Sequence, residues 1–155
     1  MGPTLGNGLA KGKPFFSDSG FASQRRGGNW VMSGARILYV EDNFDNRLLV
    51  RRVLEVEGFS VAEAMDGPSG LEKAKESPPD LILLDINLPD IDGYELAGRF
   101  RQLPSLKGVP IIAVTANVMK GDRERVLAAG CDGYIPKPID VDKLPEQVRA
   151  ALSKA

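Results

Sequence analysis

The chain has 155 residues, of which 43% are hydrophobic and 26% charged, a composition and length that fit one compact globular domain. It contains no histidine, which excludes Ser-His-Asp and Cys-His nucleophile pairs, an imidazole proton shuttle and histidine metal ligands. Its single cysteine, Cys131, excludes an internal disulfide and a zinc site built from several cysteines. The remaining chemistry must use carboxylates, hydroxyls, lysine, backbone amides or a hard cation.

The charge balance excludes other classes of protein. Twenty basic and twenty-one acidic residues give a net charge of -1, so the basic excess typical of a nucleic-acid-binding protein is missing. No apolar run approaches the about 20 residues that span a bilayer, and the N-terminus lacks the basic start and apolar core of a signal peptide. We therefore expect a cytoplasmic protein that neither binds nucleic acid nor inserts into a membrane.

The composition changes near residue 33. Residues 1–33 hold seven of the seventeen glycines and carry four basic residues against one acidic residue, a net charge of +3. They show neither a helical nor an alternating pattern, so we predict a disordered N-terminal extension or a tag, followed by one domain over residues 34–155. A short docking segment is the alternative, because this part contains Phe15, Phe16, Phe21 and Trp30.

From Ala35 onward, five predicted strands alternate with five predicted helices. Residues 37–40, 81–84 and 111–114 are continuous apolar runs, typical of parallel strands that are covered on both faces. Residues 59–63 alternate in polarity and residues 133–135 form a very short run, which favours edge positions for these two strands. The pattern predicts an α/β fold: a (βα)5 doubly wound, five-stranded parallel sheet with strand order 2-1-3-4-5, as in flavodoxin-like proteins.

The first and the last predicted helices have specific features in the sequence. In the first, apolar residues at helical spacing predict a face that packs on the core. This predicted core face consists of Leu49, Val53 and Val56. The last helix has two alternative starts: a cap at Asp140 would leave Pro145 beyond the first turn, whereas a cap at Asp142 places it within the first turn. We favour Asp142, because the first turn tolerates proline.

Acidic residues follow the first and third predicted strands. Glu41 and Asp42 come directly after the first strand, and Asp85 follows the third. In the predicted order these strands are neighbours at the switch point of the sheet, where ligands bind beyond the carboxyl ends. Each acid alone could instead favour a helix N-terminus, but three clustered carboxylates repel one another unless a cation or a proton joins them. Magnesium is the hard cation to expect, because it binds carboxylate and phosphate oxygens.

The fourth and fifth predicted strands end at the same edge. Thr115 presents a hydroxyl there, although threonine is also common at strand ends without a function. Lys137 lies between Pro136 and Pro138, so a stiff turn holds it as a fixed positive charge that can bind a phosphoryl oxygen. The Lys137–Pro138 bond is a candidate for the cis form. Neither a G-x-x-x-x-G-K-[ST] loop after a strand nor a G-x-G-x-x-G loop after the first strand competes for a phosphate.

Five segments together identify a family. They are Val40-Glu41-Asp42-Asn43, Leu83-Leu84-Asp85-Ile86-Asn87-Leu88-Pro89, Asp92-Gly93, Val114-Thr115-Ala116 and Gly133-Tyr134-Ile135-Pro136-Lys137-Pro138. In order and spacing they resemble the receiver domains of two-component response regulators, of the chemotaxis-receiver type. Each motif is weak alone, but five in register over about residues 35–153 are highly specific.

The resemblance implies a role for each acidic residue. Asp85 corresponds to the phosphoacceptor of the family. Asp42 would bind Mg2+ directly, Glu41 would act mostly through water, and Asn87 would contribute its backbone carbonyl to the metal. Asp85 itself would complete the set of metal ligands.

The resemblance also implies a switch. Thr115 and Lys137 would hold the phosphoryl oxygens. Tyr134 would change rotamer as Thr115 moves toward the phosphate. The surface that changes would consist of the fourth helix, the fifth strand and the fifth helix.

The missing histidine then indicates the partners. Receiver domains take their phosphoryl group from a phosphohistidine, so the donor would be a separate histidine kinase or histidine phosphotransfer protein. We expect a stand-alone receiver, because no output domain follows Ala155, and its signal would pass to a downstream protein target by contact or by onward phosphotransfer. The Glu41-Asp42-Asn43 start and the Lys137-Pro138-Ile139-Asp140 ending resemble alphaproteobacterial cell-cycle regulators and hybrid-kinase receivers.

Three other functions remain as alternatives. One is a phosphate-independent interaction module on the same fold, and another is the receiver piece of a hybrid-kinase relay. A third is a small aspartyl phosphatase, which typically needs a second aspartate two residues after its nucleophile, where this chain has Asn87. We therefore expect a phosphoacceptor signalling protein with at most weak self-phosphorylation and self-dephosphorylation, and not an enzyme.

Overall fold

The computed structural model describes residues 22–26, 29–116 and 120–153, and within them five parallel strands form the central sheet. The strands are β1 (Arg36–Val40), β2 (Ser60–Ala64), β3 (Leu81–Asp85), β4 (Ile111–Thr115) and β5 (Gly133–Pro136). They pair in the order β2-β1-β3-β4-β5, and each of these pairings is parallel. This confirms the predicted doubly wound (βα)5 sheet with strand order 2-1-3-4-5, including its two edge strands.

Helices alternate with these strands. They are α1 (Phe44–Val56), α2 (Gly67–Glu76), α3 (Gly93–Gln102), α4 (Lys120–Ala128) and α5 (Leu144–Ser153), with a short 3-10 turn at Pro104–Leu106 before β4. In the part of the chain that the structure describes, no helix is both long enough and apolar enough to cross a bilayer.

The sheet is covered on both faces. On β1, Leu38 and Val40 belong to the cluster that packs α2, α3 and α4 against the sheet, whereas Ile37 and Tyr39 belong to the cluster that packs α1 and α5. Every residue of β3 and β4 is buried. A sheet with two covered faces explains why its central strands are continuous apolar runs in the sequence.

The predicted core face of α1 is wrong for two of its three residues. Leu49 is 46% exposed and Val56 is 84% exposed, while Val50 and Leu54 are completely buried. Val53, the third predicted residue, is half-buried. The helix therefore packs through a stripe next to the predicted one.

Ion pairs to the edge strand accompany this orientation of α1. Arg47 Nε lies 3.2 Å from Glu63 Oε1, and Arg51 Nη1 lies 2.6 Å from Glu63 Oε2. Glu63 belongs to β2, so both arginines are turned toward the sheet edge. An apolar periodicity cannot reveal such a pairing, because the partner is on another element.

The N-terminal segment also differs from expectation. Ala22–Arg26 and Asn29–Ser33 pair as two antiparallel strands, a regular structure that the sequence pattern did not predict. In the sequence a Gly-Gly pair lies between them, and glycine pairs favour two-residue hairpin connections. Residues 1–21, 27 and 28, also predicted to be disordered, lie outside the described residues, as do Phe15, Phe16 and Phe21 of the docking alternative.

The start of α5 follows the favoured alternative for Pro145. The helix begins at Leu144, so Pro145 lies in its first turn. The residue that shapes this start is nevertheless Asp140: its side chain accepts a hydrogen bond from the Asp142 amide at 3.0 Å, and its carbonyl accepts one from Leu144 N at 3.0 Å.

The orientation of α1 can be tested by a pair of matched substitutions. Leu54→Ala removes a completely buried side chain and is expected to lower the free energy of unfolding by about 2–5 kcal/mol. Leu49→Ala, on the exposed side of the same helix, should cost less than about 1 kcal/mol. Urea unfolding measures both values. Equal losses would contradict the observed orientation.

Candidate functional site

Three carboxylates meet at the carboxyl ends of β1 and β3. Glu41, Asp42 and Asp85 each offer one oxygen, and these oxygens all lie within 4.8 Å of one another. Glu41 and Asp85 are each 1% exposed, while Asp42 is exposed. Parallel pairing of β1 with β3 ends both strands at the same edge, as the sequence predicts. The site thus combines two buried acids with one that faces solvent.

Glu41 is held by donors from several elements. Its Oε1 accepts a hydrogen bond from the Tyr39 hydroxyl at 3.0 Å and lies 3.5 Å from Asn46 Nδ2. Its Oε2 accepts one from the Asn43 amide at 3.2 Å. The Glu41 backbone carbonyl accepts from Arg47 Nη1 at 2.7 Å. Both the carboxylate and the backbone of Glu41 are therefore fixed from the α1 side of the sheet.

Lys137 links the two buried acids. Its Nζ lies 3.2 Å from Glu41 Oε1 and 3.3 Å from Asp85 Oδ2. Its amide donates to the Thr115 carbonyl at 2.8 Å, and the Lys137–Pro138 bond is cis. Burial opposes the charge, but attraction by Asp85 and Glu41 raises the pKa of the ammonium above its ordinary value. Lys137 is therefore a permanent positive charge between two carboxylates.

Asp85 and Glu41 respond differently to this environment. Burial raises the pKa of Asp85 to about 6, a shift that the Asn87 amide opposes and the Glu41 charge increases. Burial also acts against ionisation of Glu41, but hydrogen bonds with Asp85 and Asn43 and the charge of Lys137 hold its pKa below the ordinary value. As the pH falls, Asp85 is the acid of this pair that binds a proton first.

The loop after Asp85 is closed by a tight approach of α3. Asn87 N donates to Asp85 Oδ1 at 3.0 Å, and Asn87 forms a bridge with Asp92. Gly93 N, in the first turn of α3, donates to the Ile86 carbonyl at 3.1 Å. A Cβ atom at Gly93 would lie 2.4 Å from Ile86 Cα and 2.9 Å from the Asp85 carbonyl oxygen. The absence of a side chain at Gly93 thus allows the loop to hold Asp85 in place.

The other predicted site residues lie along β4 and β5. Thr115 is 2% exposed at the carboxyl end of β4. Tyr134 is half-buried on β5, where it is the register partner of Ala113. Its ring lies 5.9 Å from Arg123 Cζ of α4, and its hydroxyl lies 3.5 Å from Arg123 Nη2. The predicted switch tyrosine therefore contacts α4 directly.

A groove adjoins the acidic cluster. Its volume is about 400 Å3. It lies between α1 and the turn after β5 and is lined by Asn46, Leu49, Val50, Ala116, Lys137, Pro138 and Ile139. The groove therefore begins at the lysine that pairs with Asp85, and most of its lining is apolar.

Sequence reasoning missed two residues of the site, Tyr39 and Arg47. Tyr39 precedes Glu41 by two positions, and side chains at that spacing on a strand point to the same face. Its hydroxyl is the polar group within the otherwise apolar run 37–40, which was a usable signal. Arg47 gave no such signal, because an arginine on a helix is usually solvated.

Comparison with known proteins agrees with this arrangement. The family model of the response regulator receiver domain matches residues 37–149. The chain belongs to the response regulator receiver domain family.

The chain matches particular relatives over nearly the whole of their length. The polar-differentiation response regulator DivK of Brucella anthropi is 40% identical over 119 residues, which are 77% of this chain and 97% of DivK. The structure of the chemotaxis protein CheY4 of Vibrio cholerae matches with a TM-score of 0.74 at 28% identity, over 77% of this chain and 99% of CheY4.

A third relative carries a metal. The receiver domain of the sensor histidine kinase PA1611 of Pseudomonas aeruginosa PAO1 is 36% identical, with a TM-score of 0.71 over 78% of this chain and 99% of that domain. Its structure has a magnesium ion coordinated in the active-site cleft.

The donor set of this chain fits such an ion. Magnesium prefers oxygen ligands and retains several waters, so a site with one or two direct carboxylates and access to solvent suits it. The clustered oxygens of Glu41, Asp42 and Asp85 meet this requirement, and exposed Asp42 opens the cluster to water. Asp42, Asp85 and the Asn87 carbonyl remain the predicted direct ligands, with Glu41 acting through water.

The assigned metal roles predict unequal losses. Asp42→Ala removes a predicted direct ligand and should weaken Mg2+ binding far more than Glu41→Gln, which keeps a hydrogen-bonding side chain in place. Calorimetric Mg2+ titrations of both variants and the wild type give the dissociation constants. Equal losses would contradict the roles assigned to these two acids.

The close approach at Gly93 predicts a second pair of outcomes. Gly93→Ala forces a Cβ atom against backbone and is expected to destabilise the fold by about 1–3 kcal/mol. Gly98→Ala is the matched control in the same helix, because nothing lies within 4 Å of its added Cβ, and it should stabilise by about 0.5–1 kcal/mol. Denaturant unfolding compares them, and a neutral Gly93→Ala would show that the loop does not need this contact.

Proposed function

We propose that this receiver accepts a phosphoryl group on Asp85 from a phosphohistidine of a partner protein, with Mg2+ bound beside it. The observation that carries the proposal is the environment of the Asp85 carboxylate. One of its oxygens accepts from the Asn87 amide, the other lies 3.3 Å from Lys137 Nζ, and Asp42 and Glu41 lie next to it. A buried carboxylate with these neighbours is suited to attack phosphorus rather than to bind an organic substrate.

The transfer exchanges one bond for another. The phosphorus–nitrogen bond of the phosphohistidine breaks, its electron pair remains on the imidazole, and a carboxylate oxygen of Asp85 bonds to phosphorus. Both reactants are anionic, and bound Mg2+ would neutralise charge on the transferring oxygens. Lys137 pairs with Asp85 before transfer, so its charge is already in place to hold a phosphoryl oxygen afterwards. Thr115 would bind another of these oxygens.

The phosphohistidine would lie outside these 155 residues, since they contain no histidine. A histidine kinase or a histidine phosphotransfer protein supplies the required phosphohistidine. The apolar groove beside Lys137 offers such a partner a surface that begins at the acceptor site. A protein of this kind acts in the cytoplasm, and we expect at most slow self-phosphorylation and self-dephosphorylation.

The output surface would consist of α4, β5 and α5 and would contact a downstream protein target. Phosphorylation changes the local charge at Asp85, and movement of Thr115 toward the phosphoryl group leaves space for the Tyr134 ring. Arg123 of α4 contacts both the ring and the hydroxyl of Tyr134. A change of the Tyr134 rotamer would therefore break a contact between β5 and α4. This supports a switch in which α4 responds to the state of Asp85.

A second candidate is a relay in which the phosphoryl group passes onward, as in hybrid kinases. The 36% identity with the receiver domain of the sensor histidine kinase PA1611 favours it. Asn87 argues against a phosphatase, because it cannot act as the general acid that such enzymes place two residues after their nucleophile.

Phosphoryl acceptance predicts a specific labelling result. Acetyl phosphate with Mg2+ should transfer one phosphoryl group per chain, and the adduct should be labile to alkali. Asp85→Asn should abolish this adduct, because an amide is not a nucleophile at neutral pH. Intact-mass spectrometry before and after alkali treatment gives the measurement.

Asp80→Asn is the matched control for that experiment. Asp80 immediately precedes β3, and its carboxylate accepts a hydrogen bond from Arg36 N at 2.7 Å, a role that an asparagine oxygen can keep. This variant should be labelled like the wild type. An unlabelled wild type, or equal labelling of Asp85→Asn, would contradict the proposed function.

A further inference from the structure

Tyr39 places a hydroxyl against the acidic cluster from inside the core. The residue is 0% exposed, and its ring packs in the cluster that contains Val50 of α1 and Leu83 of β3. Its hydroxyl donates to Glu41 Oε1 at 3.0 Å. A phenylalanine would fill the same space, so the hydroxyl adds a polar contact that packing does not require.

We propose that Tyr39 is a positioning residue for the magnesium and phosphoryl site and that it acts through Glu41. This inference rests on the proposed function. It goes beyond that function by assigning a role to a residue whose hydroxyl reaches the site through its hydrogen bond to Glu41.

The two oxygens of Glu41 have unequal surroundings. Oε1 lies near three donors: Tyr39 at 3.0 Å, Lys137 at 3.2 Å and Asn46 at 3.5 Å. Oε2 accepts from the Asn43 amide at 3.2 Å. Oε1 is thus committed to protein donors, whereas Oε2 retains more capacity to accept from another group, such as a water bound to a metal.

Among the donors to Oε1, Tyr39 is the most deeply buried. Lys137 also pairs with Asp85, and a phosphoryl group on Asp85 would draw it away from Glu41. Asn46 is at the limit of hydrogen-bonding distance and lies on the partly exposed side of α1. The Tyr39 ring is fixed by packing on every side, so its hydroxyl keeps Glu41 in one orientation through the reaction.

Loss of this hydroxyl would change the site in a definite way. A buried carboxylate would lose a donor, and the charge on Oε1 would depend more strongly on Lys137. A tighter pair between Lys137 and Glu41 leaves less positive charge for Asp85. If the Glu41 side chain rotates, its carboxylate oxygen also moves away from the oxygens of Asp42 and Asp85 with which it would share a cation. Groups that orient direct metal ligands typically contribute 10–100-fold to metal affinity, and Tyr39 should contribute at the lower end or less, because Glu41 itself would act through water.

The test uses Tyr39→Phe, which keeps the ring and removes the hydroxyl. Mg2+ affinity, measured by calorimetry at fixed ionic strength, is expected to fall by up to about tenfold, and by no more than in Glu41→Ala, through which the effect must pass. Phosphorylation by acetyl phosphate should show the same loss at low Mg2+ and recover to the wild-type rate at saturating Mg2+. Amide NMR spectra of the two proteins should coincide away from β1 and the acidic cluster, which separates this effect from unfolding.

A double-mutant cycle shows whether Tyr39 acts through Glu41. In a Glu41→Ala background the predicted direct ligands Asp42 and Asp85 remain, so Mg2+ binding should be weakened but measurable. Adding Tyr39→Phe to that background should then leave the affinity unchanged, because its target is gone. A tenfold loss in both backgrounds would contradict action through Glu41.

The outcomes for the two proposals can be told apart. A wild-type chain that neither binds Mg2+ nor is labelled on Asp85 contradicts the proposed function and this inference together. A wild-type chain that binds and is labelled, with a Tyr39→Phe variant of equal Mg2+ affinity, contradicts the positioning role alone.

Discussion

The ion pair between Lys137 and the buried acids Glu41 and Asp85 is the interaction on which the site depends. Two carboxylates at the end of a closely packed sheet repel each other and lose hydration, and a shared ammonium group compensates both effects. Lys137 lies on the turn after β5, two strands away from Asp85 on β3, so β1, β3, β4 and β5 must be assembled before this compensation exists. The site is consequently a property of the complete fold.

The parallel sheet brings these groups together, and a few local contacts hold them there. Parallel pairing ends every strand of the sheet at one edge, which collects Glu41, Asp85, Thr115 and Lys137 from distant parts of the chain. The glycine at 93 permits α3 to close the loop after Asp85. Backbone hydrogen bonds from Ile86 to Val114 and from Lys137 to Thr115 connect the three terminal turns.

The sequence was sufficient for the sheet and for the clustered acids, because both depend on patterns that are local in the chain. Apolar runs identify buried parallel strands, and acids directly after strands one and three are placed together by strand order alone. The orientation of α1 could not be found this way, since the helix carries two neighbouring apolar stripes, and the contacts of Val50, Leu54 and the Glu63 ion pairs that distinguish them lie on other elements. Tyr39 was missed for a related reason: its ring satisfies the apolar pattern of the strand, and that pattern does not show what its hydroxyl contacts.

The site and the proposed output surface share one mechanical connection. Lys137 and Tyr134 are three residues apart on the same strand and turn, and Thr115 is bonded to Lys137 through its backbone carbonyl. A phosphoryl group that draws Lys137 away from Glu41 therefore acts on the strand that carries Tyr134, whose ring contacts Arg123 of α4. Tyr39 contacts Glu41 at the opposite end of that ion pair, from a completely buried position. On the proposed function, a fixed phenol on β1 and a movable one on β5 thus have complementary roles: the first keeps the acidic cluster constant while the second responds to its charge.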